Sequence, residues 1–209
     1  MKPRILVLNS GSGSGFQKLV EYSRIGVLDA DIVGLITNKD TYECINRAKD
    51  LSILFGILEK FEAEDYQQLV KDFNADFVAL SGWLKTVRGL DPCTTFNIHP
   101  GPLPEFGGKG MYGHFVHEAV MKAFKEGHIK QTAVCIHFVT DAYDKGPVFF
   151  RYPIGIRSID TAETLAARVN KVEHEWQSFV TNMVVDGRIS WDGKNPESLI
   201  VPDCMKHLL

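Results

Sequence analysis

The chain has 209 residues, of which 23% are charged and 44% are hydrophobic. This length and composition are typical of one folded domain and exclude a disordered chain or a fibrous repeat. The net charge of −3 provides no overall attraction to nucleic acid or to an anionic membrane. We therefore expect neither of them as a partner.

The four cysteines, Cys44, Cys93, Cys135 and Cys204, are far apart and include no C-x-x-C pair. Reduced thiols are therefore expected rather than a disulfide framework or a structural zinc site. The apolar run Ile5–Leu8 is shorter than the ~7–15 residues of a secretory signal, and no stretch approaches the ~18 apolar residues of a membrane span. Together these features predict a cytoplasmic protein.

The first half of the chain alternates apolar runs typical of buried strands with amphipathic runs typical of helices. We predict strands at 5–8, 32–36, 53–58 and 77–80, and helices at 16–24, 42–50 and 62–73. This β-α-β order with apolar strands indicates a parallel sheet covered by helices on both faces.

The second half predicts strand 94–98, helix 112–125, a hairpin of strands 132–139 and 148–156, and helix 161–185. The apolar stripe of the last helix comprises Leu165, Val169, Val172, Trp176, Phe179, Val180 and Met183. The fold expected is Rossmann-like α/β, with a mostly parallel twisted sheet and an antiparallel hairpin in its C-terminal half. We expect a single domain over residues 1–190 and a loosely attached tail over residues 191–209.

A glycine-rich turn, Asn9–Gly15, separates the first strand from the first helix. Its exposed backbone N–H groups and the positive end of the helix suit a phosphate. The glycines run G-x-G-x-G, which does not match the dinucleotide pattern G-x-G-x-x-G, and no Walker lysine follows. A phosphate site and a merely flexible turn both remain open.

Asn97 and His99 are two residues apart at the end of a predicted strand, so their side chains point the same way. An amide beside an imidazole suits a carbonyl oxygen that becomes an oxyanion, although a structural Asn and a packed His are the simpler alternative. Asp141 and Asp144 occupy the turn of the predicted hairpin. A carboxylate near His99 would orient the imidazole and raise its pKa, whereas ordinary turn capping is the alternative.

Two further polar groups lie on predicted helices. Glu173 and His174, taken alone, are polar positions beside an apolar stripe. His114, His117 and Glu118 do not have the spacing of a recognised zinc site, so we expect no metal.

Several of these segments, in order across residues 4–190, resemble the folate-dependent phosphoribosylglycinamide formyltransferase family. The matching residues are Ser10–Ser14, Asn97-Ile98-His99-Pro100 with Leu103-Pro104, His137–Thr140 leading to Asp144-x-Gly146-Pro147, and Arg168-Val169 with Glu173-His174. The resemblance implies formyl transfer from 10-formyltetrahydrofolate, as co-substrate, to the amine of N1-(5-phospho-D-ribosyl)glycinamide in purine (IMP) biosynthesis. It also implies small-molecule substrates, no metal, and a monomer or homodimer.

The resemblance also implies roles for individual residues. Asn97, His99 and Asp144 would be catalytic. The substrate phosphate and ribose would be bound by Gly13, Ser14, Gly15, Pro100, Asn170 and Glu173. The folate would be bound by Leu84, Lys85, Val87, Val139, Thr140 and Asp141.

The sequence departs from the family pattern in places. Gly15 stands where Asn is usual, Lys85 where Arg is common, and Glu105–Gly113 is longer than in the shorter members. The alternatives are a formyltransferase for another amine, such as an amino sugar nucleotide, and a non-catalytic phosphate-binding module. A methionyl-tRNA formyltransferase or a formyltetrahydrofolate hydrolase would be expected to carry an additional domain.

Overall fold

A computed structural model describes residues 1–40 and 42–209 and arranges them around one sheet. The strands are β1 (Arg4–Asn9), β2 (Asp31–Thr37), β3 (Phe55–Ile57), β4 (Phe77–Ser81), β5 (Thr95–His99), β6 (Gln131–Phe138) and β7 (Val148–Gly155). The α-helices are α1 (Ser14–Arg24), α2 (Tyr42–Asp50), α3 (Ala63–Asp72), α4 (His114–Lys125) and α5 (Ala162–Val185).

The strand order is β3-β2-β1-β4-β5-β6-β7. Strands β1 to β5 pair with one another in parallel, and β6 runs antiparallel to both β5 and β7. The predicted Rossmann-like fold, with its C-terminal hairpin, is confirmed. The order reverses between β1 and β4, and ligands of open α/β sheets bind in the crevice beyond the carboxyl ends of such strands.

Both faces of the sheet are covered because successive residues of a strand point to opposite faces. In β1, Ile5 and Val7 belong to the larger core cluster, which also holds buried residues of α1, α4 and α5. Leu6 and Leu8 belong to the second cluster, together with Tyr66 of α3. None of the helices in the described residues combines the length and apolar character needed to span a bilayer.

The apolar run at 53–58 is less buried than predicted. Only Phe55–Ile57 forms a strand, and it lies at the sheet edge with β2 as its partner. Leu54 is therefore 72% exposed, and Phe55 and Ile57 are exposed as well. Phe179, assigned to the apolar stripe of the last helix, is also exposed.

The C-terminal segment is not loosely attached, contrary to expectation. Trp191, Val201 and Met205 are buried in the larger core cluster. Ser190 and Ile200 also form an antiparallel bridge. The segment therefore contributes apolar side chains to the same core as the sheet.

Candidate active site

Two loops that follow neighbouring parallel strands are tied together at the point where the strand order reverses. The backbone N–H of Ser10, after β1, donates to the carbonyl of Gly82, after β4, at 2.9 Å. The N–H of Leu84 donates to the hydroxyl of Ser10 at 3.0 Å. These contacts place the glycine-rich turn against residues 82–84.

The glycine-rich turn ends at the N-terminus of α1. Gly13 is the N-cap residue with φ of 81°, a left-handed conformation that disfavours a side chain. The first turn of α1 leaves backbone N–H groups without intrahelical partners, so it can bind an anion. The guanidinium of Arg47, on α2, donates from Nε to the carbonyl of Ser12 at 3.0 Å and adds a positive charge beside the turn. Arg47 was not anticipated from the sequence, because only the fold brings α2 to this turn.

The carboxyl end of β5 carries Asn97 and His99. Asn97 Nδ2 lies 3.1 Å from Nε2 of His137, which is its partner in the antiparallel register of β5 and β6. His99 is buried, and its Nε2 lies 2.7 Å from the carbonyl oxygen of Phe106. The two side chains are therefore held by different partners.

Asp144, in the turn between β6 and β7, completes the group. Its Oδ1 lies 3.4 Å from Nε2 of His137 and its Oδ2 lies 3.9 Å from Nδ1 of His99. Oδ2 also accepts a hydrogen bond from the N–H of Gly108 at 2.9 Å. The structure thus brings Asn97, His99 and Asp144 together, with His137 between the amide and the carboxylate.

Burial and nearby charges shift the pKa values of Asp144 and His99 in opposite directions. Burial by itself would raise the pKa of Asp144, but His137, His99 and Gly108 outweigh it, so the pKa lies below its usual value. Burial lowers the pKa of His99, although Asp144 and the Phe106 carbonyl favour its charged form. The carboxylate of Asp144 acts to raise the pKa of His99, as expected, but burial exceeds this effect and the net pKa is lowered.

One cavity of about 420 Å³ joins the glycine-rich turn to the catalytic candidates. Of the predicted site residues, its lining contains Gly13, Ser14, Gly15, Leu84, Asn97, His99, Pro100, Asp144, Asn170 and Glu173. Asn170 Nδ2 donates to Glu173 Oε2 at 3.3 Å, and burial raises the pKa of Glu173 to about 7. The N-terminus of α1, the carboxyl group of Glu173 and the Asn97–His99 pair therefore share one space.

Comparison with known proteins identifies the family. A sequence model described as formyl transferase matches residues 3–181. The chain belongs to the formyl transferase family. It is 34% identical over 202 residues to the chloroplastic phosphoribosylglycinamide formyltransferase of Vigna unguiculata, covering 91% of this chain and 63% of that protein. The chain thus spans less than two thirds of the length of this relative.

Bacterial members of the formyl transferase family match over more of their length. The chain is 28% identical to the phosphoribosylglycinamide formyltransferase of Bacillus subtilis, covering 87% of this chain and 94% of that protein. The crystal structure of glycinamide ribonucleotide transformylase 1 from Symbiobacterium toebii superposes with a TM-score of 0.81 at 25% identity, covering 97% of this chain and 95% of that one.

The structure accounts for Gly15, a departure from the formyl transferase pattern. A Cβ atom at this position would lie 2.3 Å from Ser81 Oγ and 3.0 Å from Gln177 Oε1. Ser81 and Gln177 are both buried, and Gln177 Nε2 donates to Ser81 Oγ at 3.2 Å. A larger residue would therefore have to displace this hydrogen-bonded pair.

The predicted folate residues of this formyl transferase fall into different places. Lys85, Val87, Val139 and Thr140 line a narrow slot of about 30 Å³, whereas Leu84 lines the large cavity. This slot is much smaller than the ~300–1,000 Å³ of cavities that hold drug-sized ligands. Asp141 is exposed and lines neither space.

Three residues at the site of this formyl transferase were not predicted from its sequence. His137 was noted only as part of a motif, and Gly108 only as part of a longer loop. His117, assigned no role, lines the large cavity while its Nδ1 has no hydrogen-bond partner within the described residues. Burial, with smaller effects of His114 and His99, lowers the pKa of His117 to about 4. The sequence signal that could have indicated His137 is the alternation of residues along β6. It places His137 on the same face as Cys135, and these two residues pair with Asn97 and His99 of β5.

Within residues 1–40 and 42–209, no three His, Cys, Asp or Glu side chains form a group suited to a metal ion. What the described residues do assemble is a hydrogen-bond donor from Asn97, an imidazole and a carboxylate. These are the groups needed for proton transfer and for stabilising an oxyanion during acyl transfer.

Proposed function

We propose that this protein transfers a formyl group from 10-formyltetrahydrofolate to the amine of N1-(5-phospho-D-ribosyl)glycinamide. The observation that carries the proposal is the single cavity shared by the α1 N-terminus and by Asn97, His99 and Asp144. The names of the relatives support this acceptor, since they specify phosphoribosylglycinamide or glycinamide ribonucleotide.

The acceptor is oriented by its phosphate and ribose. In the proposed complex the phosphate occupies the turn at Gly13, Ser14 and Gly15, where backbone N–H groups and the helix dipole stabilise it. Asn170 and Glu173, on α5, bind the ribose hydroxyls, and Pro100 lies against the acceptor. This arrangement directs the glycinamide amine toward Asn97 and His99.

The reaction is an acyl transfer to nitrogen. The amine attacks the formyl carbon, a C–N bond forms, and the formyl oxygen becomes an oxyanion. Asn97 donates an N–H to this oxygen, and His99, when protonated, donates from Nδ1; the carboxylate of Asp144 favours this protonated form and burial opposes it. Asp144 accepts the amine proton through a water molecule. Collapse of the intermediate breaks the bond to N10 of the folate, which takes up a proton and leaves as tetrahydrofolate.

Binding of the folate requires a change of shape at the narrow slot. In this proposal the segment from Leu84 to Val87 separates from Val139, Thr140 and Asp141 to admit the pterin. Lys85, whose Nζ lies 5.0 Å from the centre of the Phe61 ring, is released to interact with the folate glutamate. The volume of about 30 Å³ is the reason that opening is needed.

The test is release of tetrahydrofolate when the protein is incubated with both substrates. We expect turnover, and we expect His99→Ala to lose on the order of 100-fold or more in kcat while circular dichroism shows an intact fold. Absence of turnover beside an active control enzyme would reject the proposal. Turnover with an amino sugar nucleotide in place of the glycinamide substrate would support the alternative acceptor instead.

Compartment, oligomeric state and cofactor requirement remain predictions. The plant relatives are named chloroplastic, so the predicted cytoplasmic location applies to this chain only as a proposal. We retain a monomer or homodimer acting without a metal, which light scattering and an assay with a chelator would check.

A further inference from the structure

The segment Glu105–Gly113, here called the glycine loop, contacts both ionisable catalytic candidates through its backbone. The carbonyl oxygen of Phe106 lies 2.7 Å from His99 Nε2. Two residues later, the N–H of Gly108 donates to Asp144 Oδ2 at 2.9 Å. One short stretch of main chain therefore holds the imidazole and the carboxylate at the same time.

Packing makes this contact dependent on glycine. A Cβ atom on Gly107 would lie 2.3 Å from Leu103 Cδ2 and 3.2 Å from Asp144 Cβ. Gly108 has φ of 98°, a conformation that residues with a side chain rarely adopt. The loop can approach Asp144 this closely because Gly107 lacks a side chain, and its path at Gly108 needs a backbone conformation that glycine adopts readily.

The two contacts define how the catalytic groups face each other. A carbonyl oxygen only accepts, so Nε2 of His99 must carry the hydrogen in their contact. Nδ1 is then left facing Asp144, with 3.9 Å between Nδ1 and Oδ2. Asp144 itself has φ of 52° in its turn, so its main chain needs outside support to hold this orientation.

We propose that the glycine loop positions the reacting groups, with Phe106 selecting the tautomer of His99 and Gly107 and Gly108 holding the Asp144 carboxylate. This inference rests on the proposed function, because that function makes His99 and Asp144 the reacting groups. Phe106, Gly107 and Gly108 are positioning residues, since they act through His99 and Asp144.

The charged state of the pair follows from its surroundings. Asp144 faces His99 and His137 and adjoins Tyr143, and His99 is also near His117. Burial by itself would raise the pKa of Asp144. The Gly108 N–H and the two histidines outweigh burial and lower this pKa. Moving the loop away removes the Gly108 donor, so the pKa of Asp144 rises. The pKa of His99 falls, because the Phe106 carbonyl no longer favours its charged form.

The chain contains a matched pair of variants for the test. Gly108→Ala and Gly110→Ala both place alanine at positive φ, of 98° and 91°, and neither Cβ would meet another atom within 4 Å. The strain is therefore similar, but only Gly108 donates to Asp144. Gly107→Ala is an additional variant that displaces the loop by direct contact.

The first measurement needs no substrate. Nuclear magnetic resonance of the full chain with labelled histidine and aspartate reports the His99 tautomer and the titration of His99 and Asp144. We expect the Nε2–H tautomer in the unmodified protein and in Gly110→Ala. In Gly108→Ala and Gly107→Ala we expect a mixture of tautomers, a higher pKa for Asp144 and a lower pKa for His99.

The second measurement is the pH profile of kcat/KM. For Gly108→Ala we expect a loss on the order of 100-fold, as for a misplaced catalytic group, and an acid limb moved to higher pH. Gly110→Ala should keep the normal profile and stay within about two-fold. A merely structural loop would lower the folded fraction without moving the limb.

The outcomes separate this inference from the proposed function. Folded Gly108→Ala and Gly107→Ala proteins with an unchanged tautomer and unchanged titrations overturn the positioning role, whatever the activity. If Gly107→Ala does not fold, Gly108→Ala still decides. If the unmodified protein shows no formyl transfer, the proposed function is rejected. If the histidine and aspartate signals of the glycine variants still change as expected, the positioning contacts remain supported.

Discussion

The pKa values of the two carboxyl groups in the large cavity are shifted in opposite directions by their surroundings. Asp144 is paired with imidazoles and a backbone N–H, so its pKa is low despite burial. Glu173 has only the amide of Asn170 against burial, so its pKa rises to about 7. Carboxyl groups separated in this way can serve different roles at neutral pH.

The raised pKa of Glu173 predicts a pH-dependent effect of Glu173→Gln on stability. The folded protein keeps the proton that the unfolded chain releases near the ordinary pKa of 4.5, so the wild-type glutamate costs stability as pH rises from about 4.5 to about 7. We expect the Gln variant to match the wild type at pH 4 and to exceed it by on the order of 1–3 kcal/mol at pH 8.

Urea unfolding of the substrate-free protein at both pH values provides the measurement. Glu175→Gln is the control, because Glu175 lies on the same helix but is exposed, 3.9 Å from Lys171. Such a surface pair contributes little to stability. An equal gain from Glu173→Gln at both pH values would contradict the burial of an ionised carboxylate.

At the scale of elements, local sequence signals placed the helices well. The Thr161 hydroxyl accepts from the N–H of Thr164 at 3.3 Å, and the Thr164 hydroxyl accepts from the N–H of Thr161 at 2.9 Å. This reciprocal capping starts α5, the helix that carries Asn170 and Glu173. A capping pair lies within one turn, so its residues can be recognised along the chain.

Thr161→Ala is expected to destabilise the protein by about 0.5–2 kcal/mol, since an N–H of the first turn loses its acceptor. Thr161→Ser keeps the hydroxyl and should recover most of the loss. Equilibrium urea unfolding of the three proteins compares these values. Equal stability of the Ala and Ser variants would show that the cap has no net effect.

The burial of a strand was harder to predict than its position in the chain. The run 53–58 is as apolar as the buried strands, yet Leu54 and Ile57 are exposed, because β3 is the last strand of the sheet. Position in a sheet depends on how distant strands pair. Periodicity within one segment carries no information about it.

At the scale of the whole molecule, the C-terminal segment joins the main core. Met205 is 3% exposed and belongs to the larger core cluster, whereas its neighbour Cys204 is exposed. We expect Met205→Ala to cost about 2–5 kcal/mol, as for other large-to-small core substitutions, and Cys204→Ala to stay within about 0.5 kcal/mol. Thermal or urea unfolding distinguishes this from a loose tail, for which neither substitution would matter.

The catalytic candidates show how far the sequence reaches into the site. Asn97 and His99 could be paired because alternate residues of a strand share a face. His137 is 40 residues from Asn97, and Gly108 is 36 residues from Asp144. These contacts depend on the register of β5 with β6 and on the path of a loop, neither of which is encoded within a short window.

By itself, the sequence determined the α/β class, the order of helices and strands, the glycine-rich turn and the chemical types of the catalytic candidates. These follow from local periodicity, turn residues and motif spacing. Only the tertiary structure decided that His137 stands between Asn97 and Asp144, that the glycine loop holds His99 and Asp144, and that the C-terminal segment is part of the core. The physical reason is that each of these contacts joins residues distant in the chain, and such contacts are selected by the packing of the whole fold.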